Sequence, residues 1–105
     1  VKMTEKEQVE LMAKVVNVQE CTENIDMYNE FIEQIGSELE KLNAMEPFWI
    51  KVYGSIEGEG ATEAVIPLNM HEEVIGFIKE KFKKEIQSRK NSISKEYEKL
   101  NELLK

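Results

Sequence analysis

The chain has 105 residues, a net charge of −7 and 33% charged residues, which bounds it to a single domain and disfavours general nucleic-acid binding. Its 41% hydrophobic content is ordinary for a folded chain and argues against wholesale disorder. A single cysteine, Cys21, excludes an internal disulfide, so a reducing compartment is the default.

No apolar run reaches membrane-spanning length, and the start, Val-Lys-Met-Thr-Glu, has no signal-peptide pattern. The expectation is a soluble cytoplasmic protein that meets no membrane. The charge is unevenly spread. Residues 1–46 carry four lysines and eleven acids, whereas residues 69–105 carry nine basic residues and seven acids. An acidic first helix beside a mildly basic second one favours their antiparallel pairing.

The first predicted element is a long helix. Thr4-Glu5-Lys6-Glu7 reads as a capping box, in which Thr4 accepts from the Glu7 amide and Glu7 reaches back. Leu11, Val18, Ile25, Ile32 and Leu39 recur every seven residues. Cys21, Tyr28, Ile35 and Leu42 do the same, offset by three. These are the a and d positions of a heptad seam. Met12, Val15, Val16, Met27 and Phe31 widen the stripe, which suggests more than one neighbouring helix. Cys21-Thr22-Glu23-Asn24 is the weakest stretch, where a kink or break is expected if one occurs. Asn43 suits a C-cap, and Pro47 stops the helix.

A β-hairpin follows between Pro47 and Pro67. Phe48, Ile50, Val52 and Ile56 alternate with Trp49, Lys51, Tyr53 and Ser55, a period-two pattern of apolar and other residues. Gly58-Glu59-Gly60 supplies the residues a tight reversal needs, and residues 61–66 return as the second strand. Trp49 and Tyr53 flank Lys51 on the nominally polar face, and two large rings there need cover. An isolated hairpin is marginal in water, so this face predicts pairing with another copy, or a ligand or partner.

The second long helix is predicted to start at Asn69, with Glu72 as its capping partner. Ile75, Phe82, Ile86, Ile93, Tyr97 and Leu104 are spaced 7, 4, 7, 4, 7, an eleven-residue repeat, and Ile78 and Leu100 join the stripe. Its slot at Arg89-Lys90 is polar. Residues 79–90 hold six basic residues and two acids. They read as a solvated face with i,i+4 pairs, or as an anion-binding edge at Lys83, Arg89 and Lys90.

Together these elements predict an α+β, mostly α fold: helix over 4–44, hairpin over 48–66, helix over 69–104. The helices pair antiparallel in coiled-coil fashion. Such a monomer buries little surface, so a homo-oligomer is expected.

Catalytic chemistry finds no foothold in the pattern. One cysteine and one histidine are too few for a His/Cys metal site. His71 sits in the first turn of helix two and reads as a polar residue of the cap region. Ser55 or Cys21 with His71 forms no recognisable nucleophilic motif. Gly58-Glu59-Gly60 lacks the spacing and Lys-Ser/Thr ending of a phosphate loop. The expectation is a non-enzymatic binding protein with no cofactor and no metal. The acidic face of Glu20, Glu23, Asp26, Glu30 and Glu33 reads as solvated coiled-coil surface, with nucleic-acid mimicry as the alternative.

Two resemblances add to this reading. The order long helix, β-hairpin, long helix resembles a prefoldin β-type subunit. That likeness implies a chaperone whose hairpins join in an oligomeric barrel, and whose arm tips, here near Val9, Leu11, Met12, Leu100, Leu103 and Leu104, hold apolar clients. Gly54-Ser55 in a strand, then Val65-Ile66-Pro67-Leu68 leading into a Lys/Glu-rich helix ending in leucines, resembles small accessory proteins of phages and prophages. That likeness implies an inhibitor of host defence, acting in the host cytoplasm by sequestering a nucleotide signal or binding an effector protein. A pocket between protomers would then draw on Trp49, Lys51 and Tyr53 with helix residues such as Arg89. A set of rings and cations suits a nucleotide, by stacking and by charge neutralisation.

Overall fold

A computed structural model describes residues 2–105. It consists of α1 (Glu5–Ala44), β1 (Lys51–Ile56), β2 (Gly60–Val65) and α2 (His71–Leu103), with a 3₁₀ turn over Leu68–Met70 leading into α2. The two helices pack on each other, and the hairpin joins them at one end. The radius of gyration is 22.4 Å, against about 13 Å for a compact domain of this length. The longest dimension is 73 Å, and α1 alone accounts for about 60 Å of helix. Among the described residues no helix is long and apolar enough to cross a membrane.

The capping box at Thr4 forms as the sequence predicts. Thr4 Oγ1 accepts from the Glu7 amide at 3.1 Å, and Glu7 reaches back to the Thr4 amide. The helix then runs unbroken for 40 residues. No break occurs at Cys21-Thr22-Glu23-Asn24. Thr22 folds its hydroxyl onto the Val18 carbonyl at 2.9 Å, and Cys21 and Ile25 are the best-buried apolar residues among those described, at 5% and 6% exposure. Tertiary packing therefore holds the stretch where local propensity is poorest. The helix ends at Ala44 with Met45 as C-cap, its N–H donating to the Lys41 carbonyl, so Asn43 is still inside the helix.

The heptad seam of α1 faces α2. Val18, Cys21, Ile25, Tyr28, Ile32, Ile35, Leu39 and Leu42 are all buried or half-buried. Leu11 keeps the same spacing but is exposed, because α2 does not reach it. Of the residues that widen the stripe, Phe31 is half-buried, whereas Met12, Val15, Val16 and Met27 are exposed.

On α2 the seam differs from the eleven-residue repeat. Tyr97 and Leu104 face outward. Ile75, Phe82, Arg89, Glu96 and Leu103 take the inward positions every seven residues, joined by Ile78, Ile86, Ile93 and Leu100. The two helices thus share a heptad, and two of its positions on α2 are charged.

α2 begins at His71 and not at Asn69. Asn69 lies within the 3₁₀ turn, and the N-cap, Met70, makes no side-chain cap. The expected Asn69/Glu72 capping box does not form. His71 lies in the cap region as expected, as the first residue of α2, and it is buried there, at 7% exposure. Its Nε2–H donates to the Ile66 carbonyl at 2.9 Å and ties the start of α2 to the end of the hairpin.

The hairpin ladder starts at Lys51, later than the apolar pattern at Phe48 suggests. The strands pair Lys51 with Val65, Tyr53 with Glu63 and Ser55 with Ala61. One further bond, from the Ile66 N–H to the Ile50 carbonyl at 2.8 Å, carries the pairing back to the helix ends. Gly58 and Gly60 adopt φ of 84° and 80°, the left-handed region that glycine enters without a Cβ penalty.

Candidate functional site

The hairpin projects from the helix pair. Among the described residues neither strand packs on a helix, and every residue of both strands is exposed. Trp49, Lys51 and Tyr53 line an open hollow of about 400 Å³ on one face. Strand alternation explains the grouping, since residues two apart share a face. Trp49 is 64% and Tyr53 72% exposed. Lys51 Nζ lies 5.7 Å from the centre of the Trp49 ring and 3.3 Å from Glu63 Oε1 on β2. Phe48 packs edge-on against Trp49, with ring centres 5.8 Å apart. The opposite face carries Val52 and Ile56, also exposed. The open rings present stacking surface to a planar ligand, beside an ammonium that lies over Trp49 and is paired with the Glu63 carboxylate. They equally present apolar area to another protein surface.

The remaining predicted residues lie elsewhere. Arg89 turns into the helix seam. Its guanidinium lies 4.5 Å from the centre of the Phe31 ring and 5.9 Å from that of Tyr28, with Glu85 Oε2 at 4.0 Å. Its Nε is buried without a hydrogen-bond partner. Lys90 is exposed on α2, and Lys83 is exposed and paired with Glu80 at 3.3 Å. Within one chain, then, Trp49, Lys51 and Tyr53 come together, and Arg89 and Lys90 do not join them.

Two polar features escape a reading of the sequence. Glu96, only 6% exposed, lies in the seam beside Cys21 and Lys99. Its carboxyl is held below the usual range, first by the Cys21 thiol and then by Lys99. The Cys21 thiol is pushed up by burial and by that carboxylate. Lys99, 3.2 Å from Glu96, is raised in turn. These groups border a groove of about 410 Å³ with Asn17, Glu20, Asn24, Glu102 and Leu103. The signal for Glu96 was its spacing, seven residues after Arg89 and fourteen after Phe82. The second feature is His71, whose Nδ1 is buried without a partner. No spacing in the sequence announces its bond to Ile66.

Beyond that groove α1 continues alone. Leu103, the last residue of α2, borders the groove with Asn17. Residues 5–16 therefore overhang by about 18 Å, and all are exposed. The overhang carries Val9, Leu11, Met12, Val15 and Val16.

Compared with protein-family models, curated proteins and solved structures, the chain gives no match.

Proposed function

We propose that this chain works by binding and not by catalysis, as a homo-oligomer assembled through its β-hairpin, and that the Trp49–Lys51–Tyr53 face is its recognition surface. The observation that carries this reading is the hairpin itself. It holds Phe48, Trp49, Val52, Tyr53 and Ile56 in the open, away from both helices. A two-stranded sheet gains too little from its own pairing to keep such residues uncovered. In the finer reading the surface takes a nucleotide signal or an effector protein, as an inhibitor of host defence of the phage accessory type would. Arg89 packs on Phe31 in the seam, so an anionic ligand would have to draw Lys51 from its pair with Glu63.

The test is native mass spectrometry of the protein purified from cells, with thermal unfolding against a panel of nucleotides. A ligand that binds only the folded state raises the midpoint by mass action. This reading expects a defined oligomer, a nucleotide adduct or a nucleotide-specific shift, and loss of that shift in Trp49→Ala. An oligomer that shifts with no nucleotide and retains no effector in pull-down contradicts the finer reading.

One observation favours a second reading. The apolar overhang of α1 lies at the end of the arm remote from the hairpin, where a prefoldin-like chaperone holds clients. That reading expects the protein to suppress aggregation of unrelated unfolded proteins, and Met12→Glu with Val16→Glu to abolish the effect.

A further inference from the structure

A hairpin has two edges, and the register decides which residues offer backbone groups along each. The Ile66 N–H donates to the Ile50 carbonyl. Hydrogen-bonded and non-hydrogen-bonded pairs alternate along an antiparallel ladder. With the observed pairing, Ile50, Val52, Gly54 and Ile56 direct their backbone at β2, while Lys51, Tyr53 and Ser55 direct theirs outward. On β2 the outward set is Ala61, Glu63 and Val65.

Charge counts against some pairings of two copies, and ring-against-ring packing chooses among the rest. A two-fold pairing of β2 edges centred on Glu63 sets two carboxylates directly opposite, and centring it on Ala61 sets Glu63 against Glu59. Both are destabilising. A two-fold pairing of β1 edges centred on Tyr53 sets ring beside ring and Lys51 opposite Ser55. It opposes no like charges, and aromatic cross-strand pairs are favourable. A head-to-tail pairing of β1 on β2 leaves an open edge at each end, so it must continue to a ring or a filament. The two-fold pairing closes at once, and its outer β2 edges are guarded by Glu63 and the neighbouring turn acids Glu57 and Glu59.

We propose that two copies join along their β1 edges, antiparallel about a two-fold axis at Tyr53, into a four-stranded sheet. One face of this sheet carries Trp49, Lys51 and Tyr53 from both copies, so the recognition surface is complete only in the dimer. Four strands also exceed the minimum at which a sheet becomes stable on its own. The inference rests on the hairpin being the assembly surface, and adds the edge, the register and the shared face.

The test is disulfide trapping in the full chain. In such a pairing residue 53 lies opposite its own copy, with Cα atoms about 5.5 Å apart, inside the range a disulfide spans. Under mild oxidation Tyr53→Cys is expected to run mostly as a covalent dimer on non-reducing gels. Glu63→Cys is expected to remain at the level of the unmodified protein, whose one thiol is buried. Because Tyr53→Cys also removes a ring, a mixture of Lys51→Cys and Ser55→Cys chains tests the same register with Tyr53 intact, and is expected to cross-link. If the unmodified protein sediments as a monomer, this pairing and the hairpin-assembly reading both fall. If it sediments as an oligomer but neither residue 53 nor the 51/55 mixture cross-links, or Glu63→Cys cross-links as well, the β1 pairing falls alone.

Discussion

The guanidinium of Arg89, on α2, sits 4.5 Å from the centre of the Phe31 ring on α1. That contact turns a residue of a basic stretch into a member of the seam. Seven residues on, Glu96 occupies the next equivalent position, beside Cys21 on α1. The helix pair is thus zipped by aliphatic layers interrupted by two polar ones. Polar residues at seam positions fix register at a cost in stability, and here Arg89 over Phe31 and Glu96 beside Cys21 mark the alignment of α2 along α1.

The Arg89 layer is the first to test. Its stem packs, and its charge lies over two rings. Arg89→Ala should lower the stability of the helix pair by about 1–2 kcal/mol, read by urea unfolding of the helical circular dichroism signal. Arg89→Met keeps the stem and should cost less. No effect from either variant would place Arg89 outside the seam.

The Glu96 layer makes stability depend on pH at both ends. A carboxyl depressed in the folded state stabilises above its unfolded value, and that stability is lost as pH falls through the folded value. The unfolding midpoint should therefore drop as the solution is acidified below about pH 4, and Glu96→Gln should weaken this dependence. The Cys21 thiol is raised, so its contribution is present below the ordinary thiol range and lost as pH rises through the folded value. Cys21→Ala should remove that alkaline loss. Lys99 is raised too, foremost by Glu96, which adds a second loss at higher pH. Midpoints measured across the pH range for the three proteins decide the matter.

Burial predicts a sharp contrast along α1. Ile25 lies in the best-packed layer, so Ile25→Ala should cost about 2–5 kcal/mol. Met12 lies in the overhang, and Met12→Ala should change the stability of the helix pair by less than about 0.5 kcal/mol. Denaturant midpoints of the two variants check the contrast. Equal costs would mean that the seam extends over residues 5–16.

The capping box protects only the end it caps. Thr4→Ala should weaken the first turn by about 1 kcal/mol. Hydrogen exchange should accelerate at residues 5–16 and stay unchanged at residues 21–39, because local opening of an unpacked terminus leaves the packed region intact.

The elements were largely legible because their signals are local. The Thr4/Glu7 box, the heptad from Val18 to Leu42, the alternation around Val52 and the glycines of the turn each follow from neighbouring residues. Three features were not. Arg89 and Glu96 are charged at apolar seam positions, so the visible stripe of α2 passed through Tyr97 and Leu104 instead. Asn69 looked like a cap, but Pro67 starts a 3₁₀ turn whose Met70 N–H donates back to the Pro67 carbonyl, and the helix follows from there. The interruption at Cys21-Thr22-Glu23-Asn24 disappears because packing against α2 outweighs propensity. For the proposed recognition surface, alternation groups Trp49, Lys51 and Tyr53. Heptad spacing from Ile75 and Phe82 reaches Arg89, but no local pattern names its partners Phe31 and Tyr28, about sixty residues away in sequence.

Assembly along the β1 edge is read by sedimentation of the unmodified protein beside Ser55→Pro. Proline at residue 55 removes an outward-facing N–H and leaves the ladder to β2 in place. Pairing at Tyr53 gives a dimer for the unmodified chain, and a monomer with unchanged helical signal for Ser55→Pro. A monomer for both, across micromolar concentrations, would contradict it.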